Sequence, residues 1–131
     1  MWLYHQNTGW LNDPSGQDIW QGYSGQPPHV NVSADEGLEG LGPIPSGTWL
    51  VTEVFQEHPK LGPFVLVLEP DEPTRARVIL LGRDPDSFRM HGERSIPPSG
   101  YASDGCIIMP RSVRELVWDN ADHEISVQET I

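Results

Sequence analysis

Apolar residues recur along the chain in short alternating or continuous runs, the pattern that is typical of β-strands. Thr48 to Phe55 alternates apolar with polar positions, as in a strand with one buried face. Phe64 to Leu68 is continuously apolar, which predicts a central strand buried on both faces. The same criteria predict further strands at Met1 to Gln6, Asp18 to Tyr23, Ala76 to Leu81, Phe88 to His91, Ile107 to Met109 and His123 to Val127.

Turn-forming residues and one helix signal lie between these runs. Asn12 to Gly16 predicts the turn of a first hairpin, and Glu69 to Thr74 predicts a proline-bounded turn. Ser24 to Pro45 is rich in glycine, proline and acidic residues and has no periodicity, so we predict a long surface loop there. Such a loop is either one wall of a cleft or a tolerated insertion. Ser112 to Glu115 fits a capping box, which predicts a short helix through about Trp118.

Composition supports a fold of this kind. The 131 residues include 13 glycines and 13 prolines, about twice the average share, so turns are frequent and long helices few. A chain of this length forms one domain with a hydrophobic core, and no repeat or linker divides it. We therefore predict a single mainly β domain over residues 1–131, a β-sandwich or barrel with long loops and one short C-terminal helix.

Charge and hydropathy exclude several function classes. The formal net charge is −11, from 19 acidic against 8 basic residues, so nucleic-acid phosphates and anionic membrane surfaces are repelled. No stretch approaches the roughly 18 apolar residues that span a bilayer, so membrane insertion is not expected. Residues 1–10 lack the basic start and apolar run of a signal peptide, and we expect no cleaved signal.

The single cysteine, Cys106, is either an inert buried thiol or a reactive one. A thiol becomes an efficient nucleophile when a base favours the thiolate, and His91 is the histidine best placed to act as that base. Gly105 permits a tight turn that presents the backbone N–H groups of Gly105 and Cys106 as oxyanion donors. On spacing alone, both interpretations of Cys106 stay open.

Four residues near the pair are further candidates. Ser103 is expected to orient the imidazole through its hydroxyl or its backbone carbonyl, or else to be a plain turn residue. Arg111 is expected to hold a substrate carboxylate or support the loop of Cys106, unless it forms a salt bridge at the helix start. Tyr101 and Asp104 are candidate substrate contacts, with capping of the turn as the favoured role of Asp104. No metal site or cofactor is predicted, because the other histidines have no partner at ligand spacing: His5, His29, His58 and His123.

Two segments of this region resemble a known signature. Arg89-Met90-His91-Gly92, followed by Ala102-Ser103-Asp104-Gly105-Cys106-Ile107, resembles the His…Ser-x-Gly-Cys motif of L,D-transpeptidases of the YkuD type. More closely, the whole chain resembles the L,D-transpeptidase-like effectors of bacterial type VI secretion, the Tlde family. The landmarks of that resemblance are Gly22 to Gly25, Gly42 to Gly47, Leu61 to Pro63 and Ala102 to Arg111.

The resemblance implies a β-rich L,D-transpeptidase fold that acts on the stem peptides of peptidoglycan. It implies that Cys106 forms a thioester and His91 transfers protons while the terminal D-alanine of a tetrapeptide is cleaved or exchanged. It further implies a protein made in the cytoplasm without a signal peptide, delivered by the type VI secretion apparatus and active in the periplasm of target bacteria. A cognate immunity protein is then expected as a partner.

Two positions depart from the pattern of wall-building L,D-transpeptidases. Those enzymes usually have a basic residue or histidine between the serine and the glycine, and an arginine two residues after the cysteine. Here Asp104 and Ile108 occupy these positions, and the nearest downstream arginine is Arg111. Efficient 3-3 cross-linking is therefore the least expected of the inherited activities.

Two other interpretations of the chain stay open. The first is a peptidoglycan-binding module of the same fold that has lost its catalytic activity. The second is an unrelated cysteine peptidase such as an NlpC/P60-type endopeptidase. Those enzymes place the cysteine before the histidine, whereas here His91 precedes Cys106, so the second interpretation ranks lower.

Overall fold

The computed structural model describes residues 1–95 and 99–130. Within these ranges the chain forms nine β-strands, two α-helices and a short 3-10 helix at Ser33–Asp35. The strands are β1 (Trp2–His5), β2 (Trp10–Asn12), β3 (Asp18–Gln21), β4 (Tyr23–Ser24), β5 (Gly47–His58), β6 (Gly62–Pro70), β7 (Arg89–His91), β8 (Ile107–Ile108) and β9 (Glu124–Gln128). The helices are α1 (Glu72–Leu80) and α2 (Arg111–Asp119).

The strands form one mixed sheet, with the order β3-β2-β1-β9-β5-β6-β7-β8-β4. β1 pairs in parallel with β9, and β7 pairs in parallel with β8. The other neighbouring strands are antiparallel. The sheet is a nearly closed barrel, and the mainly β, single-domain fold that the sequence predicts is confirmed.

The long antiparallel pair of β5 and β6 forms the centre of the core. All residues of Phe64 to Leu68 are buried, as their continuous apolar run predicts. Trp49 of β5 is fully buried and meets Phe88 edge-on, with 4.9 Å between the ring centroids. An irregularity after Val51 shifts the register of β5, so Phe55 lies exposed instead of continuing the alternation.

Residues Ala76 to Leu81, predicted as a strand, lie mostly in helix α1, and this prediction is wrong. The side chain of Asp71 accepts a hydrogen bond from the N–H of Thr74 at 3.0 Å, which caps the helix start. A proline in the first turn also favours a helix start. Only Thr74 and Val78, four residues apart, are buried in the helix. The apolar run also includes Ile79 and Leu80, which are exposed to solvent. The domain therefore has two α-helices instead of one.

The predicted C-terminal helix is present as α2, but its start differs. It begins at Arg111, after Pro110 as the N-cap, and no side chain caps it. The capping box predicted at Ser112 to Glu115 is therefore not formed. The first hairpin also differs, because the turn within Asn12 to Gly16 joins β2 to β3, while β1 pairs with β2 and β9.

No helix in the described ranges is both long enough and apolar enough to cross a membrane.

Candidate active site

The parallel pairing of β7 with β8 sets His91 and Cys106 on adjacent segments of the sheet. Met90 pairs with Ile107 and His91 pairs with Ile108, and Cys106 directly precedes β8. Met90 and Ile107 are fully buried in the core. Because side chains alternate along a strand, His91 and Cys106 point away from these two core residues and share the other face of the sheet. The catalytic pair predicted from sequence thus lies on one face, although residues 96–98 between them lie outside the described residues.

The His91 side chain is buried and has a defined tautomer. Its Nδ1 donates a hydrogen bond to the backbone oxygen of Gly92 at 2.9 Å, which leaves the lone pair of Nε2 available in the neutral ring. Burial lowers the pKa of His91, and the positive charge of Arg114 lowers it further, against an opposing effect of the Gly92 bond. His91 is therefore a neutral base at neutral pH.

The thiol of Cys106 is neutral as well. Its Sγ donates a weak hydrogen bond to the Ser87 backbone oxygen at 3.9 Å. Burial raises the pKa of Cys106 to about 11, with the backbone N–H and charge of Arg89 and the charge of Arg83 acting in the opposite direction. The pair is thus a neutral thiol and a neutral imidazole at neutral pH.

Two neighbouring clefts contain the two reactive side chains. Cys106 lines a cleft of about 380 Å³, here called the Cys cleft, together with Arg83 and Asp104. His91 lines a cleft of about 400 Å³, here called the His cleft, together with Arg114. Leu61, at the turn between β5 and β6, lines both. The two clefts therefore adjoin at Leu61.

The loop predicted at Ser24 to Pro45 contributes to this site. Glu39 and Gly40 line the Cys cleft. The hydroxyl of Ser24 donates to the backbone oxygen of Gly105 at 2.9 Å and accepts from the N–H of Ile44 at 2.8 Å. These contacts favour the cleft-wall alternative over a tolerated insertion.

Ser103 organises the turn that carries the nucleophile. Its hydroxyl is completely buried, donates to the backbone oxygen of Cys106, and accepts from the N–H groups of Gly25 at 2.9 Å and Gly105 at 3.1 Å. The hydroxyl thus forms hydrogen bonds with backbone groups of Gly25, Gly105 and Cys106. It does not bond to the imidazole of His91, which one of its predicted roles required. The Gly105 N–H, predicted as an oxyanion donor, is engaged with Ser103 in this structure.

The three predicted substrate contacts lie in different surroundings. Arg111 forms an ion pair with Glu115 at 3.7 Å and lies over the Phe64 ring, which is the helix-start salt bridge given as its alternative. Tyr101 is exposed and lines neither cleft. The exposed side chain of Asp104 lines the Cys cleft, and its Oδ1 accepts a long hydrogen bond from Gln26. Substrate binding by these residues stays a prediction.

Two buried arginines were missed by sequence reasoning. Arg114 donates to the backbone oxygens of Phe64 at 2.8 Å and Pro63 at 3.0 Å, and to that of Met109. It thereby joins α2 to the start of β6 and the end of β8, at the base of the His cleft. In the Cys cleft, Arg83 likewise donates hydrogen bonds to backbone oxygens of separate segments, those of Glu36 and Asp104. Nothing in the sequence distinguishes these two arginines from the exposed ones.

Tyr23 and Glu93 form a further link that the sequence does not reveal. The Tyr23 hydroxyl lies 2.8 Å from both carboxylate oxygens of Glu93 and accepts the N–H of Ala102 at 3.2 Å. This link ties β4 to the segments that follow His91 and precede Cys106. In residues 1–95 and 99–130, no three His, Cys, Asp or Glu side chains are grouped to hold a metal ion.

Gly105→Ala tests how closely the nucleophile turn is packed. Gly105 has φ +130°, and a Cβ there would lie 2.2 Å from Arg83 Nη2, so overpacking adds to backbone strain. We expect Gly105→Ala to lower the free energy of unfolding by about 2 kcal/mol more than the same substitution at a control glycine does.

The control is Gly16→Ala, at φ +91°, where a Cβ would meet no described atom within 4 Å. Urea denaturation measures both variants. Equal losses of stability in the two variants would show that the turn accommodates a Cβ at position 105 without overpacking against Arg83.

Comparison with known proteins identifies the fold. No family model and no curated protein matches the sequence. The Bdellovibrio bacteriovorus protein Bd1075 aligns with a TM-score of 0.60 and 15% identity, over 98% of this chain and 47% of its own. An Enterococcus faecium L,D-transpeptidase, solved as a cysteine-to-serine mutant, aligns with a TM-score of 0.55 and 12% identity, over 97% of this chain and 48% of its own. The chain spans about half the length of these two proteins, and its fold is L,D-transpeptidase-like.

Proposed function

We propose that the protein is a cysteine enzyme that acts on the stem tetrapeptides of peptidoglycan, with L,D-carboxypeptidase activity, D-amino acid exchange activity, or both. The observation that supports this most is the placement of Cys106 and His91 on one face of the paired strands β7 and β8. The L,D-transpeptidase-like fold supports the same class of substrate. The motif of His91, Ser103, Gly105 and Cys106 supports the chemistry.

The reaction begins when Cys106 Sγ attacks the carbonyl carbon between the diamino acid at position three and the D-alanine at position four. His91 Nε2 takes the thiol proton during this attack, because neither group is charged at rest. The C–N bond then breaks, and the same proton passes to the amine of the departing D-alanine. The product is a thioester on Cys106.

A second acyl transfer releases the enzyme. In the carboxypeptidase reaction, water attacks the thioester, one of its protons passes to the Cys106 sulfur through His91, and a tripeptide carboxyl group forms. In the exchange reaction, the amine of a free D-amino acid attacks instead, the C–S bond breaks, and a proton of the amine passes to the Cys106 sulfur through His91, which gives a new tetrapeptide. We assign the backbone N–H of Cys106 to the oxyanion, because the N–H of Gly105 already donates to Ser103.

The biological role that we propose is an antibacterial effector delivered by type VI secretion into the periplasm of target cells. Its support is the resemblance to the Tlde family and the departures at Asp104 and Ile108 from wall-building enzymes. The producer then needs a cognate immunity protein, which binds the effector and protects the producer's own wall.

Substitution of the reactive pair should abolish the reaction. Cys106→Ala and His91→Gln are expected to retain the fold but to lose release and exchange of D-alanine, by a factor of about 10³ or more, because each removes a group that acts at the reacting atoms. Mass spectrometry of tetrapeptide muropeptides, incubated with and without a free D-amino acid, measures both reactions.

His123→Gln is the matched control, since His123 packs on Trp118 at 5.0 Å between ring centroids and lines neither cleft. It should retain wild-type turnover. Retained turnover in Cys106→Ala would exclude the mechanism. A wild-type protein that binds muropeptides without changing their mass would instead identify a binding module.

The pH dependence of turnover should reflect His91. Because burial lowers its pKa, the neutral base persists to a pH below the ordinary histidine value of about 6.5. We expect kcat/KM to rise with pH through a midpoint below 6.5 and to be on a plateau at neutral pH. A midpoint above 6.5 would indicate a charged imidazole in the free enzyme, contrary to this site.

Targeting to the periplasm tests the effector role. Expression with an added periplasmic signal should inhibit growth of a Gram-negative host, whereas cytoplasmic expression should not, because stem peptides are then out of reach. Periplasmic Cys106→Ala is the control and should be harmless. Equal toxicity of wild type and Cys106→Ala, or harmless periplasmic wild type with active muropeptide turnover, would contradict the toxin role.

A further inference from the structure

Arg83 is a buried cation whose hydrogen-bond partners are all neutral. Only 5% of the residue is exposed. Its guanidinium also lies over the Phe88 ring, 4.9 Å from the centroid. It donates to four backbone oxygens, those of Glu36 at 2.8 Å, Pro43 at 2.6 Å, Gly42 at 3.2 Å and Asp104 at 3.2 Å. Carbonyl dipoles satisfy the N–H groups of Arg83, but they do not neutralise its charge.

No carboxylate within 1–95 and 99–130 forms an ion pair with Arg83. Glu36, whose backbone oxygen accepts from Arg83, gives its carboxylate to Arg77 and to other donors. Glu39 and Asp84 line the same cleft without contacting the guanidinium. A buried charge without a counterion is costly, and burial lowers the pKa of Arg83 accordingly. This cost is offset if an anion forms next to the guanidinium during the reaction.

Cys106 is the group beside Arg83 that can become that anion. The guanidinium packs against Gly105, where a Cβ would lie 2.2 Å from Nη2, and holds the carbonyl of Asp104. Both residues belong to the turn that ends at Cys106. The thiol lines the same cleft as Arg83, and the positive charge of Arg83 acts to lower the pKa of Cys106.

We propose that Arg83 is the positioning residue of the nucleophile: it holds the turn that carries Cys106 and leaves its positive charge to balance the thiolate that forms as the substrate is attacked. Other groups act on the same sulfur. Arg89 on β7 adds positive charge, and Asp104 on the turn opposes it. His91 shares the face of the sheet, and Glu39 and Asp84 contribute negative charge at the cleft wall.

This inference rests on the proposed role of Cys106 as a nucleophile, but its test needs no peptidoglycan. The rate of alkylation by iodoacetamide reports the thiolate fraction of Cys106, the only cysteine in the chain. The alkylation rate can therefore be measured even if the wild-type protein does not turn over muropeptides. Failure of the proposed function and failure of this inference are thus distinguishable.

The first experiment compares Arg83→Lys with Arg83→Gln across pH. Arg83→Gln keeps donors for the turn but removes the charge, whereas Arg83→Lys keeps the charge and loses the planar fork. We expect the alkylation midpoint of Arg83→Gln to rise by about one pH unit, which lowers the rate about tenfold at a fixed pH below it. Arg83→Lys should keep the wild-type midpoint. Arg75→Gln, which removes an arginine paired with Asp86 on the surface, is the control.

A purely structural role gives a different result. Both Arg83 variants would then lose stability, and the midpoint would stay at the wild-type pH in each. That outcome, or an equal shift in Arg83→Lys and Arg83→Gln, would overturn the proposal.

The second experiment leaves Arg83 unchanged and so avoids a loss of fold. Iodoacetate is an anion and iodoacetamide is neutral, so their rate ratio at Cys106, relative to a model thiol, reports the local charge. We expect iodoacetate to be favoured by about threefold or more, against the repulsion of the net charge of −11. Because the charge of Arg89 also acts on this sulfur, the preference should weaken in Arg89→Gln but still exceed that of the model thiol. A ratio at or below that of the model thiol, or a preference lost in Arg89→Gln, would overturn the role of Arg83.

Discussion

The parallel pairing of β7 with β8 is the constraint on which the rest of the site depends. A parallel pair cannot be joined by a tight turn, so the chain leaves β7 after His91 and returns through a long connection to Cys106. The pairing places both side chains on the same face while Met90 and Ile107 anchor the strands in the core. Core packing thereby fixes the backbone positions of His91 and Cys106 relative to each other, although they are fifteen residues apart in sequence.

Polar side chains hold the described residues on either side of this connection. The Ser103 hydroxyl accepts from the N–H groups of Gly25 and Gly105 and donates to the backbone oxygen of Cys106. Tyr23 links Glu93 to Ala102. Arg83 and Arg114 bind backbone oxygens from separate segments beneath the two clefts. Each of these groups would be costly to leave unpaired, so the arrangement is specific as well as stable.

Much of the scaffold is predictable from the sequence because local signals agree with the fold there. The apolar run of β6 is continuous since that strand is buried on both faces, and the Cys106 motif carries its own turn and strand. In helix α1, Val78, Ile79 and Leu80 are consecutive apolar residues, a pattern that predicts a strand. The segment is helical instead because it follows a helix start that Asp71 caps. In β5, one register shift turned Phe55 outward, which no alternation pattern can foresee.

Of the candidate site, only the residues of the His…Ser-x-Gly-Cys motif could be predicted from the sequence. Cys106 and His91 follow from residue type and order, and Ser103 belongs to the same motif. Arg83 and Arg114 act through backbone oxygens of segments far away in sequence, so no spacing rule identifies them. The Gly105 N–H illustrates the same limit, because its engagement with Ser103 depends on the final conformation of the turn.

We propose above all that Cys106 becomes acylated by a stem peptide. Intact-protein mass spectrometry, after acid quenching of a reaction with a tetrapeptide muropeptide, measures this directly. We predict a mass increase equal to the muropeptide less D-alanine, located on Cys106 and absent from Cys106→Ala. Release of D-alanine that proceeds equally well in Cys106→Ala, with no adduct on the wild-type protein at any quench time, would contradict the claim.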